Sequence, residues 1–202
     1  MAISLHFNKT DNDLTGCSKM WGFPDLPDNL AYPEIEYKDD DGEVYFDPMT
    51  FICQIRLEDI AALDTKSILP HEGMMYFFAA IDYFLGNYDM DSPGMGQWPE
   101  NSFKVLYSPT CDNLHTHIIE YEDGTPYGLP TEAITFNTCG EKEDGFKLLG
   151  RPFYDETEDQ YPGWISLFQI DCSDDWNLQL FDCGMINFMQ KGDNIECYLH
   201  SC

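Results

Sequence analysis

The chain is short of positive charge: ten lysines and arginines stand against thirty-seven aspartates and glutamates, a formal net charge of −27 over 202 residues. So acidic a surface repels phosphate, which argues against DNA, RNA and anionic membranes as partners and favours a basic protein. Such charge also keeps an apolar-rich chain in solution. No apolar run approaches the ~20 residues a spanning helix requires; the longest is Met74–Ile81. The opening residues, MAISLHFNKTDND, have neither the basic start nor the apolar stretch of a secretory signal, so a cytoplasmic location is expected.

Signatures of catalysis are missing as well. There is no Gly-x-Ser-x-Gly and no recognisable cysteine-protease context, and Gly94-Met95-Gly96 is not followed by the Lys-Ser/Thr of a phosphate loop. Among thirty-seven acids, paired carboxylates arise by chance and discriminate nothing. No Cys-x-x-Cys occurs among the eight cysteines, and a chain with 43% apolar residues does not need disulfide staples, so they read as buried thiols. No cofactor is expected, and the oligomeric state is left open.

Aromatic residues are abundant: 14 Phe, 12 Tyr and 4 Trp fall in runs with Ile, Val and Thr, which favours strands. Met1–Phe7, Thr50–Arg56, the stretch from Gly73, Lys104–Tyr107, His115–Tyr121 and Ala133–Phe136 read as strands. Glu34–Tyr37 and Val44–Phe46 read as a hairpin turning at Lys38-Asp39-Asp40-Asp41-Gly42, and Leu57–Leu63 as a short helix. Between residues 18 and 33, prolines 24, 27 and 33 dictate an irregular extended segment. The tail Gly192–Cys202 reads as an edge strand or a loosely held end.

One pattern organises the chain. Gly22-x-Pro24, Gln54-Ile55 and Gly73-Met-Met-Tyr-Phe-Phe78 recur in order as Gly150-x-Pro152, Gln169-Ile170 and Gly184-Met-Ile-Asn-Phe-Met189. The pattern implies an internal duplication, with repeats near 18–81 and 148–189 inside a single 1–202 domain. Gln54 and Gln169 are polar residues inside apolar strands, and buried amides must be hydrogen-bonded, so each is expected to hold an adjoining loop.

Two groups could carry function. His115-x-His117 puts two imidazoles on one strand face with Cys111 upstream, spacing compatible with a metal-ligand pair but with no third ligand identifiable. A metal-dependent enzyme or small-ligand binder using His115 and His117 is the alternative class. The other group is acidic: carboxylates crowd Asp39–Asp47, Asp82–Asp91, Glu141–Asp144 and Asp155–Asp159. Of these the loop carrying Asp155, Glu156, Glu158 and Asp159 stands out, because Tyr154, Tyr161 and Trp164 beside it could supply a desolvated aromatic anchor for a basic partner.

Taken together, Gly22-Phe-Pro-Asp-Leu-Pro27, Phe51-Ile-Cys-Gln-Ile55, Gly73–Phe78, Lys104-Val-Leu-Tyr107, Leu148-Leu-Gly150-x-Pro152, Leu167-Phe-Gln-Ile-Asp171 and Asp182-x-Gly184-x-x-Asn187-Phe188 resemble the YwqG-like family of bacterial proteins. The resemblance implies an α+β, β-rich unit of two similar motifs with interlocked, mostly antiparallel sheets, and it brings no catalytic residues. The genomic setting of some members implies, by association, an immunity or toxin-neutralising role. The expectation is therefore a non-enzymatic acidic module that binds a protein.

Overall fold

A computed structural model of the chain describes residues 1–38, 41–121 and 123–202. The expected hairpin-turn residues Asp39 and Asp40 lie outside the described residues. Strand β1 (Ala2–Lys9) opens the chain, and the proline-rich stretch contributes only the fragments β2 (Lys19–Met20) and β3 (Asp25–Pro27). Next come the ribbon β4 (Glu34–Lys38) and β5 (Val44–Pro48), then β6 (Thr50–Arg56), the four-residue helix α1 (Leu57–Ile60) and β7 (Met74–Ala79). The remainder is β8 (Gly96–Gln97), β9 (Phe103–Ser108), β10 (Leu114–Thr116), β11 (Glu132–Cys139), β12 (Lys147–Leu148), α2 (Asp155–Gln160), β13 (Ile165–Ile170), β14 (Met185–Lys191) and β15 (Asn194–His200).

Among the described residues, eleven strands join in one sheet in the order β8-β15-β14-β13-β12-β1-β11-β2-β6-β7-β9, while β3 pairs with β10 and β4 with β5 in separate ribbons. The pairings are antiparallel. Register breaks between Phe51 and Cys53 in β6 and between Ser166 and Phe168 in β13, and each such bulge bends its strand and sharpens the local twist.

Side-chain alternation divides the core. Along β7, Met75, Phe77 and Ala79 enter the larger cluster, where Phe77 meets Phe168 and Phe188. Met74, Tyr76 and Phe78 point the other way, into a smaller cluster with Leu26, Met49 and Phe51. Both faces of β7 are thus covered, which explains an apolar run without polar alternation. Each fully buried large apolar side chain contributes roughly 1.5–3 kcal/mol.

These findings correct the expected α+β class with two duplicated α+β motifs. Among the described residues, α-helix amounts to the four residues of α1 and the six of α2, and eleven strands form one continuous sheet flanked by two small ribbons instead of two interlocked sheets, so the architecture is essentially all-β. Local expectations change too. Strand β10 stops at Thr116, because the chain beyond it bonds irregularly, with the His117 amide on the Pro24 carbonyl. The tail is no sheet edge: β15 lies between β14 and β8 and buries Cys197 and Leu199. The stretch from Asp171 to Phe181 holds a single 3₁₀ turn at Asp174–Trp176 and one bridge, Ser173 to Leu178.

Candidate functional site

Two concavities adjoin on the face where the β4–β5 ribbon meets the end of β7. Their common wall is Pro48, Met49 and Asp82. Asp82 begins a 3₁₀ turn, Asp82–Leu85, that Gly86 closes in the left-handed conformation; the buried Ile81 just before it ties the turn to the core. The first cavity, about 510 Å³, is lined by the aromatic residues Trp21, Tyr32, Phe51, Tyr121 and Tyr127. The second, about 540 Å³, carries Glu36, Asp47, Asp89 and Asp91 in addition to Asp82. No Lys, Arg or His is found among the described residues that line either one.

Asp82 is held from two sides. Its Oδ2 accepts a hydrogen bond from the Thr50 hydroxyl at 2.6 Å, and its Oδ1 accepts one from the Tyr127 hydroxyl. Burial, and then the bond to Asp82, push the Tyr127 phenol well above its ordinary range; burial and the Asp82 charge do the same to Tyr32. Both phenols therefore stay protonated. Tyr32 donates to the Met49 carbonyl at 2.9 Å, fixing the ring against the cavity wall. Trp21, only 1% exposed, sits edge-on to Trp176 at 5.4 Å, and its indole Nε1–H has no hydrogen-bond partner among the described residues. Buried donors are nearly always satisfied, so a polar orphan in a cavity wall is a rare feature.

Deeper in the sheet, two cross-strand pairs hold the loops. Lys19 stands opposite Gln54, and Lys147 opposite Gln169. Gln54 accepts from the Asp25 amide and donates to the Cys17 carbonyl and to Asp25 Oδ2. Gln169 accepts from the Phe153 amide and from Lys147 Nζ, and donates to the Gly145 carbonyl at 2.9 Å. All four side chains are buried. A strand lysine reads from sequence as solvent-facing, so Lys19 and Lys147 were not legible as core residues.

The histidines are not gathered. His115 is 65% exposed, 3.4 Å from Asp28, and His117 is exposed beside the Tyr32 ring, while Cys111 packs at the rim of the smaller core cluster. Among the described residues no group of three or more His, Cys, Asp or Glu could hold a metal ion.

The acidic segments fall into two pairs. Glu36 and Asp47 from the ribbon meet Asp82, Asp89 and Asp91 at the second cavity. Glu141–Asp144 meets Asp155–Asp159, which is the helix α2 and not a loop; three carboxylates in its first turn complement the helix dipole there. Lys142 pairs with Asp155 and Glu158, and Arg151 grips Glu158 through two bonds of 2.6 Å. Glu156 lies 4.0 Å from His200, and Asp159 is exposed. Tyr161 is buried against Tyr198 and Trp164, and Tyr154 donates to the Cys183 carbonyl, so these rings fasten α2 to the sheet.

A family model described as a domain of unknown function, DUF1963, matches residues 18–148, a span holding every residue named at the two cavities. No curated protein matches the chain. No helix of the described residues is long and apolar enough to cross a membrane.

Proposed function

The chain belongs to the DUF1963 family of unknown function, and we propose that it is a non-enzymatic acidic module that binds a basic protein at the face carrying the two cavities. One observation carries this reading: five carboxylates converge on a single concavity with no basic side chain among the described residues of its lining. Glu36, Asp47, Asp89 and Asp91 make no ion pair among the described residues, whereas the α2 carboxylates are partly neutralised by Lys142 and Arg151. Concave acidic surfaces focus the field and speed encounter with a cation. Within this reading the chain is YwqG-like, and a basic toxin is the kind of partner an immunity role would supply.

The test is paired affinity capture from the source cell, with wild type and a Glu36→Gln, Asp47→Asn, Asp89→Asn, Asp91→Asn variant as baits, followed by association kinetics on the captured protein. A basic protein held by wild type alone, with an on-rate that falls as salt rises, is the expected result. Equal capture by both baits, or an acidic partner, overturns the assignment.

A further inference from the structure

The first cavity has a chemistry of its own. A carboxylate offers about four lone-pair positions, two on each oxygen. Asp82 has spent one on each: Thr50 occupies Oδ2 and Tyr127 occupies Oδ1. What remains is one acceptor position per oxygen, the arrangement a guanidinium fork engages with two parallel N–H bonds. An ammonium, a point donor, has no use for the pairing. Around this carboxylate stand the rings of Tyr32, Phe51, Tyr121 and Tyr127, surfaces on which a planar cation stacks favourably. An arginine residue carries that planar fork at the end of a flexible stem. At about 510 Å³ the cavity has room for one such residue.

We propose that this cavity receives a single arginine of the basic partner, its guanidinium on Asp82 and between the tyrosine rings. This rests on the binding-module reading, and it adds a residue-specific lock to a charge-driven encounter. Lysine in the same position keeps the attraction and loses the fork and the stacking.

The probe is a blocked pentapeptide, Gly-Gly-Arg-Gly-Gly, with lysine and citrulline counterparts, titrated into the full chain at low salt and followed by the Trp21 indole N–H resonance. The arginine peptide is expected to shift that resonance and to bind at least tenfold more tightly than either counterpart. Asp82→Asn should weaken it at least tenfold. Because Asp82 ties two elements together, a second variant guards against misfolding: Asn87→Trp, at an exposed position in the cavity lining, should block the site while leaving Asp82 in place. Equal binding of arginine and lysine peptides, unchanged by either variant, overturns the arginine lock and leaves the acidic interface standing. No binding of any basic peptide overturns both.

Discussion

Lys19 and Asp25 face each other 2.8 Å apart with side chains 5% and 0% exposed, a buried ion pair at the place where the irregular proline-rich segment joins the sheet. Asp25 also accepts from the Gly16 amide, the Gln54 side chain and the Thr116 hydroxyl, so each of its neighbours is oriented toward a negative charge. Asp25→Asn is expected to destabilise the fold by about 3–5 kcal/mol, since it strands Lys19 as an unpaired buried charge. The double variant with Lys19→Met should cost less than the sum of the two singles. Urea unfolding of the four proteins at pH 7 measures this.

Acid acts on the same pair. Burial pushes the Asp25 carboxyl up, but bonds from Lys19, Thr116 and Gly16 outweigh it and hold the group below its ordinary value. Its contribution is therefore complete above the unfolded value of about 3.9 and is lost as pH falls through the lower folded one. Wild type and Asp25→Asn should converge in stability across that acid window; a gap that persists at the lowest pH contradicts the charge argument.

Lys147 behaves in the opposite sense. It is fully buried, bonded to the Glu143 carbonyl and Gln169 Oε1, with no carboxylate in ion-pair reach among the described residues, and burial drives its ammonium down to about 8. Between that value and the ordinary one near 10.5, the unfolded chain holds a proton that the folded chain has released. Stability from this group thus rises with pH through the window. Relative to Lys147→Met, wild type should gain roughly 3 kcal/mol from pH 8 to 10.5. A difference that does not change over this range counts against the assignment.

Gly73 precedes β7 with φ near +90°, and a Cβ there would fall 2.1 Å from the Ser108 carbonyl oxygen. Gly73→Ala should cost on the order of 3 kcal/mol, because backbone must move on both sides. Gly94 has a similar φ, +79°, with nothing within 4 Å of the added atom. Gly94→Ala should therefore cost only the backbone strain, about 1 kcal/mol. Thermal unfolding of the two variants separates crowding from conformation.

Neutralising Asp155, Glu156, Glu158 and Asp159 on α2 should change the association rate of a basic peptide less than neutralising Glu36, Asp47, Asp89 and Asp91. Lys142 and Arg151 already offset the former set, and exposed charges beyond ~8 Å are screened at physiological salt. Stopped-flow association at low and moderate salt compares the two. A larger loss from the α2 set would move the interface to that helix.

How much of this could be read in advance varies from residue to residue for physical reasons. The apolar run at Met74–Ala79 read as a strand covered on both faces, because it is short, follows a glycine and is rich in aromatic side chains, and all six residues are buried. Gln54 and Gln169 were conspicuous as amides among apolar neighbours, and both bond to loop backbone. Asp155–Gln160 misled because six polar residues look like a solvated loop, although acids suit a helix's first turn equally well. Asp82 was hidden among its own kind. Only the fold reveals that the ribbon at Glu34–Pro48 lies over the segment Asp82–Asp91, since no short-range pattern encodes that meeting.

The position of β1 governs how the chain reaches this state. Its Ile3 pairs with Thr138 and Leu148, and its Phe7 with Ile134, so the middle of the sheet is closed by β1 and by residues that follow it more than a hundred positions later, on the order of half the chain. Closing so large a loop has an entropic cost before any contact repays it, which places the protein among slow folders of high contact order. During synthesis β1 must wait without neighbours until residues 132–148 have emerged, its Ile3 and Leu5 exposed for that interval. A chain stalled before β11 is consequently an aggregation hazard, whereas moving β1 to the C-terminus by circular permutation would bring it out after its partners and shorten the wait.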